Sequence, residues 1–292
     1  MSRSSFKKER DILFTQEDAF CSERKFTKQE FVELRRKVIS CYKVPPKRGT
    51  ELLEMVQTDV FSTGCYGIDK LLQGGFHSGE IIEISGETAT GKTQIAFSTT
   101  LTILCTNKDN KVLFIDTVST FSAERIRTLF LESDRFVHAR NQGMSEENVM
   151  NRIQVFKCFD VYSMMEFIDD VRDHLENKLM IIDSLTAIFA PLLGVSQTQG
   201  HSLMVTLARI LRNLAKEYNI AVMVINAAIV SRPNNPISVF SSTKSKPSLG
   251  ISWTFMPNIQ LYFTHCIDVE VSLKPRICEV LRSRNGVCII FE

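Results

Sequence analysis

No two of the eight cysteines form a C-x-x-C pair: Cys21, Cys41, Cys65, Cys105, Cys158, Cys266, Cys278 and Cys288 are scattered over 292 residues. A zinc site or a thioredoxin-type motif therefore has no support. His77, His138, His174, His201 and His265 likewise show no ligand spacing. The longest apolar stretch, Leu179 to Val195, contains Asp183 and Pro191. It falls short of the roughly 20 residues that a membrane span needs. MSRSSFKKERDILF has no apolar run suited to a signal peptide, so reduced cysteines in a cytosolic or nuclear protein are expected rather than disulfides. Charge of one sign is missing too. The 35 Lys and Arg face 33 Asp and Glu, a net of +2, which argues against a strongly basic nucleic-acid coat and against an acidic solvating tail. No repeat or low-complexity segment is visible.

What is present is an ordinary globular composition, 44% apolar and 23% charged. The length suits one large α/β domain, alone or with a small appendage. The chain changes character near residue 60. Before it, Thr27 and Glu30 form a capping-box pattern, and Phe31, Leu34, Val38 and Cys41 recur at helical spacing. Pro45-Pro46 must end that helix, because proline lacks an N–H and restricts the residue before it. Residues 1–60 hold 13 Lys or Arg against 10 Asp or Glu, and the remainder 22 against 23. The expected division is a charged helical segment 1–44, a linker 45–60 and a core 61–292.

From residue 60 onward, short β-branched runs alternate with longer amphipathic ones. Strands are expected at 80–85, 111–116, 153–159, 179–183, 220–226 and 259–265, and helices at 92–107, 122–134, 163–177 and 202–218. Continuous apolar runs suit strands covered on both faces. Strand–helix alternation then implies a doubly wound, mostly parallel sheet with right-handed crossovers. After residue 266 the alternation stops. Residues 269–273 and 278–291 read as antiparallel strands with Asn285-Gly286 as a hairpin turn.

The sharpest feature is GETATGKT: Gly86, Glu87, Thr88, Ala89, Thr90, Gly91, Lys92 and Thr93. It fits G-x-x-x-x-G-K-[ST] between an expected strand and an expected helix. The two glycines permit backbone geometry that side chains would block. Successive N–H groups at a helix N-terminus then cradle phosphate. Lys92 brings a mobile cation, and the Thr93 hydroxyl is a magnesium ligand. The plainer alternative is a glycine-rich turn with a solvated lysine. Asp183 ends the apolar run LMIID about 90 residues later. There an aspartate can hold magnesium through water, although strands also end in Asp simply to turn.

STGCYGIDKLLQGGFHSGEIIEISGETATGKTQ (62–94) closely resembles the matching segment of the RecA-family recombinases of eukaryotes and archaea. KVLFIDTVSTFSAERI, LMIIDSLTAIFAPLLG and IAVMVINAAIV follow in that family's order. The resemblance covers roughly residues 58–265. IQVFKCFDVYSMM, SLTAIFAPLLG and LGISWTFMPNIQLYF look most like the D-type paralogue of the eukaryotic strand-exchange recombinase. The resemblance implies a RecA-like P-loop ATPase core using ATP and Mg²⁺, with a small N-terminal helical segment and a C-terminal antiparallel extension. It also implies a nuclear location.

Against the family pattern two groups are missing. The position of the glutamate that activates the attacking water holds Val118, and the position of the γ-phosphate-sensing glutamine holds Ala227. Ser119 and Glu124 lie near but off the glutamate position. Arg125 matches an arginine that stacks on adenine in the family; a plain helix-surface cation is the alternative. Of the two loops that face DNA in such folds, the first spans about Ala190 to His201 and has no Lys or Arg. The second spans about Ala228 to Gly250 and carries Arg232, Phe240, Lys244 and Lys246. Cations with an aromatic suit single-strand binding, yet three cations imply a salt slope of only about −2. An ordinary solvated loop is the alternative. The linker reads PKRG where strand-exchange enzymes carry a phenylalanine and an alanine that dock into the next subunit. The chain ends at VCIIFE without the family's proline-bearing cap.

The expected function is an ATP-binding subunit of a recombinase-paralogue complex in homologous recombination and double-strand break repair. It would help assemble the main strand-exchange recombinase on single-stranded DNA, binding DNA weakly itself and hydrolysing ATP slowly or not at all alone. No membrane partner is expected. The alternatives are an active single-stranded-DNA-dependent ATPase performing strand exchange itself, and an unrelated P-loop kinase whose lid would use Arg125, Arg127, Arg135, Arg140 and Arg152.

Overall fold

The structure, a computed structural model, describes residues 12, 17, 20–21, 27–41, 48–51, 58–195, 197–230, 245–265, 276–283 and 290–291. The chain divides into two compact units, Met1–Val56 and Gln57–Glu292.

In the first unit, helix α1 (Lys28–Cys41) starts at the expected capping box. The Thr27 N–H and hydroxyl both donate to Glu30 Oε2 at 2.8 Å, and the Glu30 N–H returns a bond to Thr27 Oγ1 at 3.3 Å. Phe31 and Val38 on the helix pack with Ile12 and Phe20 in a small buried cluster.

The second unit is built on one sheet. Strand β1 (Val60–Phe61) pairs with β2 (Phe76–His77) as a separate antiparallel ribbon around helix α2 (Tyr66–Leu71). The main strands are β3 (Ile81–Gly86), β4 (Val112–Asp116), β5 (Ile153–Lys157), β6 (Leu179–Asp183), β7 (Ala221–Val230), β9 (Ile259–His265), β10 (Arg276–Arg282) and β11 (Ile290–Phe291). Their order is β11-β10-β9-β3-β7-β6-β4-β5, with short β8 (Ser245–Pro247) added to the end of β7. From β9 to β5 all pairs are parallel, whereas β10 and β11 are antiparallel. The expected parallel core with an antiparallel C-terminal extension is what forms.

Both faces are covered, as the uninterrupted apolar strands require. On one, helix α3 (Lys92–Thr106) places Phe97, Leu101 and Leu104, and helix α4 (Ala123–Glu132) places Ile126 and Phe130, against Ile82, Ile84, Phe114 and Ile181. On the other, helices α7 (Val161–Val171), α8 (Leu185–Val195) and α9 (Gln197–Glu217) cover Ile81, Leu113, Ile115, Met180 and Val222. Residue-by-residue alternation of partners is the two-residue period of a strand. Between them, the short helices α5 (Val137–Asn141) and α6 (Glu146–Met150) fill the stretch before β5. Arg152, 9% exposed, ties that stretch down. Its Nη1 donates to the carbonyls of Leu104 and Asn107, both at 2.9 Å, supplying partners for the orphan C-terminal groups of α3. It serves the fold rather than a nucleotide lid.

Two expectations are corrected. The first presumed loop, 190–201, is almost wholly helical: α8 runs to Val195 and α9 begins at Gln197. The family resemblance placed a loop here, whereas Gly200 lies in α9 where the backbones come close; a Cβ on it would meet the Leu192 carbonyl oxygen at 2.9 Å. Strand β7 also runs past residue 226 to Val230, into the second presumed loop. There it pairs antiparallel with β8 through Ala228↔Pro247, Ile229↔Lys246 and Val230↔Ser245. The expected strand 269–273 and the Asn285-Gly286 turn lie outside the described residues. Among the described residues, no helix is long and apolar enough to cross a membrane, and no cluster of three or more His, Cys, Asp or Glu could hold a metal.

Candidate nucleotide site

The site lies at the carboxyl ends of β3, β4, β6 and β7, where open parallel sheets bind ligands. Strand β3 ends at Gly86 and α3 begins at Lys92, so the expected phosphate loop is the bridge between them. Each glycine has a structural reason. Gly86 has φ +152°, and a Cβ would sit 2.2 Å from the Phe263 carbonyl oxygen of β9. Gly91 caps α3 at φ +95°. The first turn of α3 has no acidic residue and no side-chain cap, so its N–H groups face outward as an anion site.

Lys92 folds back over the loop. Its Nζ donates to the carbonyls of Gly86 at 3.0 Å and Glu87 at 2.5 Å, and the Thr90 hydroxyl donates to Glu87 O at 2.8 Å. Burial pulls the Lys92 pKa below the ordinary lysine value, opposed by the charges of Asp183 and Glu87.

Asp183 ends β6 beside Asp116 of β4. Its Oδ2 accepts from Thr93 Oγ1 at 2.8 Å and from Thr120 Oγ1 at 3.1 Å. Burial pushes its carboxyl up, opposed by those two hydroxyls. A hydroxyl and a carboxylate oxygen in contact, next to a lysine, form the hard oxygen set that suits Mg²⁺. The residues present therefore fit the cation, with Thr93 and Asp183 as its holders. Thr120 was not anticipated, and nothing in its sequence context marks it.

Val118 lies on the turn after β4, 42% exposed. Asp116 shapes that turn by accepting the N–H groups of Val118, Thr120 and Phe121 at 3.2, 3.0 and 3.1 Å. Glu124, the acidic alternative, is highly exposed and paired with Arg127 at 3.6 Å. Ala227 sits directly opposite Gly86 in the β3–β7 register but offers only a methyl group.

Beside the phosphate loop opens a cavity of about 570 Å³ lined by Thr90, Gly91, Gln94, Arg125, Cys65 and Cys278, among others. Arg125 is held there by its Nε bond to Gln94 Oε1 at 2.9 Å. Burial pushes the Cys278 thiol up to about 12. Of the expected DNA contacts, Lys246 is exposed on β8; Arg232, Phe240 and Lys244 lie outside the described residues.

Behind the site runs a buried polar chain that the sequence did not reveal. Glu83, fully buried in central β3, accepts from Asn226 Nδ2 at 2.6 Å and Gln260 Nε2 at 2.7 Å. Asn226 Oδ1 in turn accepts from the Thr186 N–H and hydroxyl, both at 3.1 Å, and Thr186 Oγ1 meets Ser248 Oγ at 2.7 Å. Burial pushes the Glu83 carboxyl up, against the lowering effect of Asn226 and Gln260.

Residues 54–284 match the family described as Rad51. The chain is 33% identical over 242 residues to the "DNA repair protein RAD51 homolog 4" of Bos taurus, covering 79% of this chain and 69% of that one. It is 28% identical over 178 residues to the "DNA repair and recombination protein RadB" of Pyrococcus abyssi, covering 60% and 70%. It is 33% identical over 177 residues to the "Meiotic recombination protein DMC1/LIM15 homolog" of Mus musculus, covering 56% and 49%.

Proposed function

The chain belongs to the Rad51 family, and on that premise we propose that it is an ATP-binding recombination and repair protein that holds nucleotide without turning it over efficiently on its own. One observation carries this reading. The phosphate-holding groups, Lys92 and the Thr93–Asp183 pair, are assembled, while the two positions that would drive hydrolysis hold Val118 and Ala227. In this reading the loop N–H groups and Lys92 bind the phosphates, and Thr93 and Asp183 would hold Mg²⁺, which would supply charge neutralisation of the phosphates. Arg125 stacks on the adenine in the adjoining cavity. Val118 can neither accept a proton nor polarise a water, and loss of a general base removes about 10²–10⁴-fold in rate.

The protein would act in the nucleus as one subunit of a complex of recombinase paralogues. That complex assists the main recombinase on single-stranded DNA during double-strand break repair. Residues 61–292 form the ATP-binding core, with 1–44 as a separate helical segment joined by 45–60. The relatives' printed names, which speak of DNA repair and recombination, support the process. The single cation Lys246 on β8 supports at most weak DNA contact, through this residue together with Arg232, Phe240 and Lys244.

The purified chain is expected to bind ATP with magnesium while steady-state phosphate release stays near background, with or without single-stranded DNA. Robust DNA-stimulated turnover would overturn the reading and favour an enzyme performing strand exchange itself. Affinity purification from cells, with mass spectrometry, is expected to recover other recombinase paralogues. Recovery of this chain alone would sink the subunit role.

A further inference from the structure

Glu87 is the only acidic residue in the phosphate loop, and its two ends do different things. Its carbonyl accepts from Lys92 and Thr90 inside the loop. Its carboxylate leaves the loop altogether: Oε1 accepts from Ser245 Oγ at 2.9 Å. Ser245 is the first residue of β8, 5% exposed, and its Oγ also lies 2.7 Å from the Tyr262 hydroxyl of β9. Because the one serine proton goes to Glu87, the tyrosine hydroxyl is the donor in the second bond. Burial pushes the Tyr262 pKa up, so it keeps the proton it donates. The order is Tyr262 to Ser245 to Glu87.

The other side of β8 is tied differently. Ser248 meets Thr186 at 2.7 Å, and its N–H bonds the Ala227 carbonyl at 3.1 Å. Thr186 leads through Asn226 to Glu83 in the core. That anchor is part-buried and leads into the core rather than to the Glu87 carboxylate. Strand β8, carrying Lys246, is thus held between a tether at Ser248 that leads to the core and a tether at Ser245 that starts on the phosphate loop.

We propose that the Glu87–Ser245 contact reports nucleotide occupancy to β8: phosphate in the loop withdraws the Glu87 carboxylate from Ser245 and loosens the β7–β8 ladder at its Val230↔Ser245 end. The physical cause is twofold. Phosphate places several negative charges within a few ångströms of a carboxylate, which repels it. It also draws the Lys92 ammonium off the Gly86 and Glu87 carbonyls, releasing the backbone that aims Glu87. Ala227, opposite Gly86 in register, has no polar side chain to carry such a signal; the Glu87–Ser245 route does not need one. This inference rests on the ATP-binding reading above.

Hydrogen exchange of peptides covering 245–250, with and without Mg²⁺–ATP, tests it on the full chain. In the wild type, ATP is expected to speed exchange on the order of fivefold, the worth of one ordinary hydrogen bond. Ser245→Ala is expected to exchange fast already and to show no response to ATP. By reciprocity it also binds ATP a few-fold tighter, since binding no longer breaks a bond. Ser245→Thr keeps the hydroxyl and is expected to restore the response, which separates signalling from a general packing defect. A full ATP response in Ser245→Ala overturns the proposal while leaving the ATP-binding reading intact. Failure of the wild type to bind a fluorescent ATP analogue overturns both.

Discussion

Lys92→Ala is expected to weaken ATP binding by roughly ten- to a hundredfold while leaving the chain folded. The side chain is half-buried but fills no position in the hydrophobic core: its charged end donates to the loop carbonyls of Gly86 and Glu87. Its removal leaves two carbonyls that water can serve. For a bound nucleotide the loss is larger, because a charge-assisted bond to phosphate contributes about 1.5–3 kcal/mol, and each 1.4 kcal/mol is a factor of about ten. Calorimetric titration with Mg²⁺–ATP measures the loss, and a parallel urea unfolding curve checks the fold. Unchanged affinity in a folded variant would remove the phosphate-loop assignment, and with it the proposed function.

Glu83→Ala acts on the opposite property. It is expected to destabilise the second unit by about 3–5 kcal/mol, since buried donors left without partners cost about 1–3 kcal/mol each. Asn226 and Gln260 both lose their acceptor, in the middle of a sheet sealed on both faces. Such a loss is a large share of the ~5–15 kcal/mol that holds a typical domain. The effect carries a pH signature. Burial raises the folded-state pKa of Glu83 above its ordinary 4.5, so the folded form holds its proton longer than the unfolded chain. The stabilisation from that proton is full below about pH 4.5 and fades as pH rises through the folded value. The stability gap between wild type and variant should therefore narrow as pH rises above that point. Denaturant midpoints across this range provide the measurement. A variant as stable as the wild type would show that the buried chain from Gln260 to Ser248 contributes nothing to the fold.

The parts that could be read from the sequence were those encoded by local pattern. GETATGKT announces itself through two glycines, and both need positive φ or close backbone approach. The inner parallel strands β3, β4 and β6 appear as apolar runs because each is covered on both sides, whereas β5 at the edge is largely exposed. Asp183 was found because it stands at the end of such a run. The elements that escaped notice depend on partners remote in sequence. Gly200 reads as a loop residue until α8 lies against it. Strand β8 is three residues long and becomes a strand only because the end of β7 is there to pair with it. Thr120, Ser245 and Ser248 are ordinary hydroxyl residues; what distinguishes them is the carboxylate or hydroxyl each meets after folding. Glu83 even argues against its own strand, being an acid within an apolar run, and is tolerated because two amides from neighbouring strands meet it there.

The cavity beside the phosphate loop also has a pharmacological reading. Cys278 on its wall invites the design of a nucleotide competitor that bonds covalently to sulfur. Its pKa of about 12 leaves almost no thiolate at neutral pH, and the thiolate is the reactive form. A thiolate-directed group seated against Cys278 is therefore expected to react slowly. Cys278 is thus a poor handle on this cavity, and a ligand lying against it has to be recognised by shape and by Arg125.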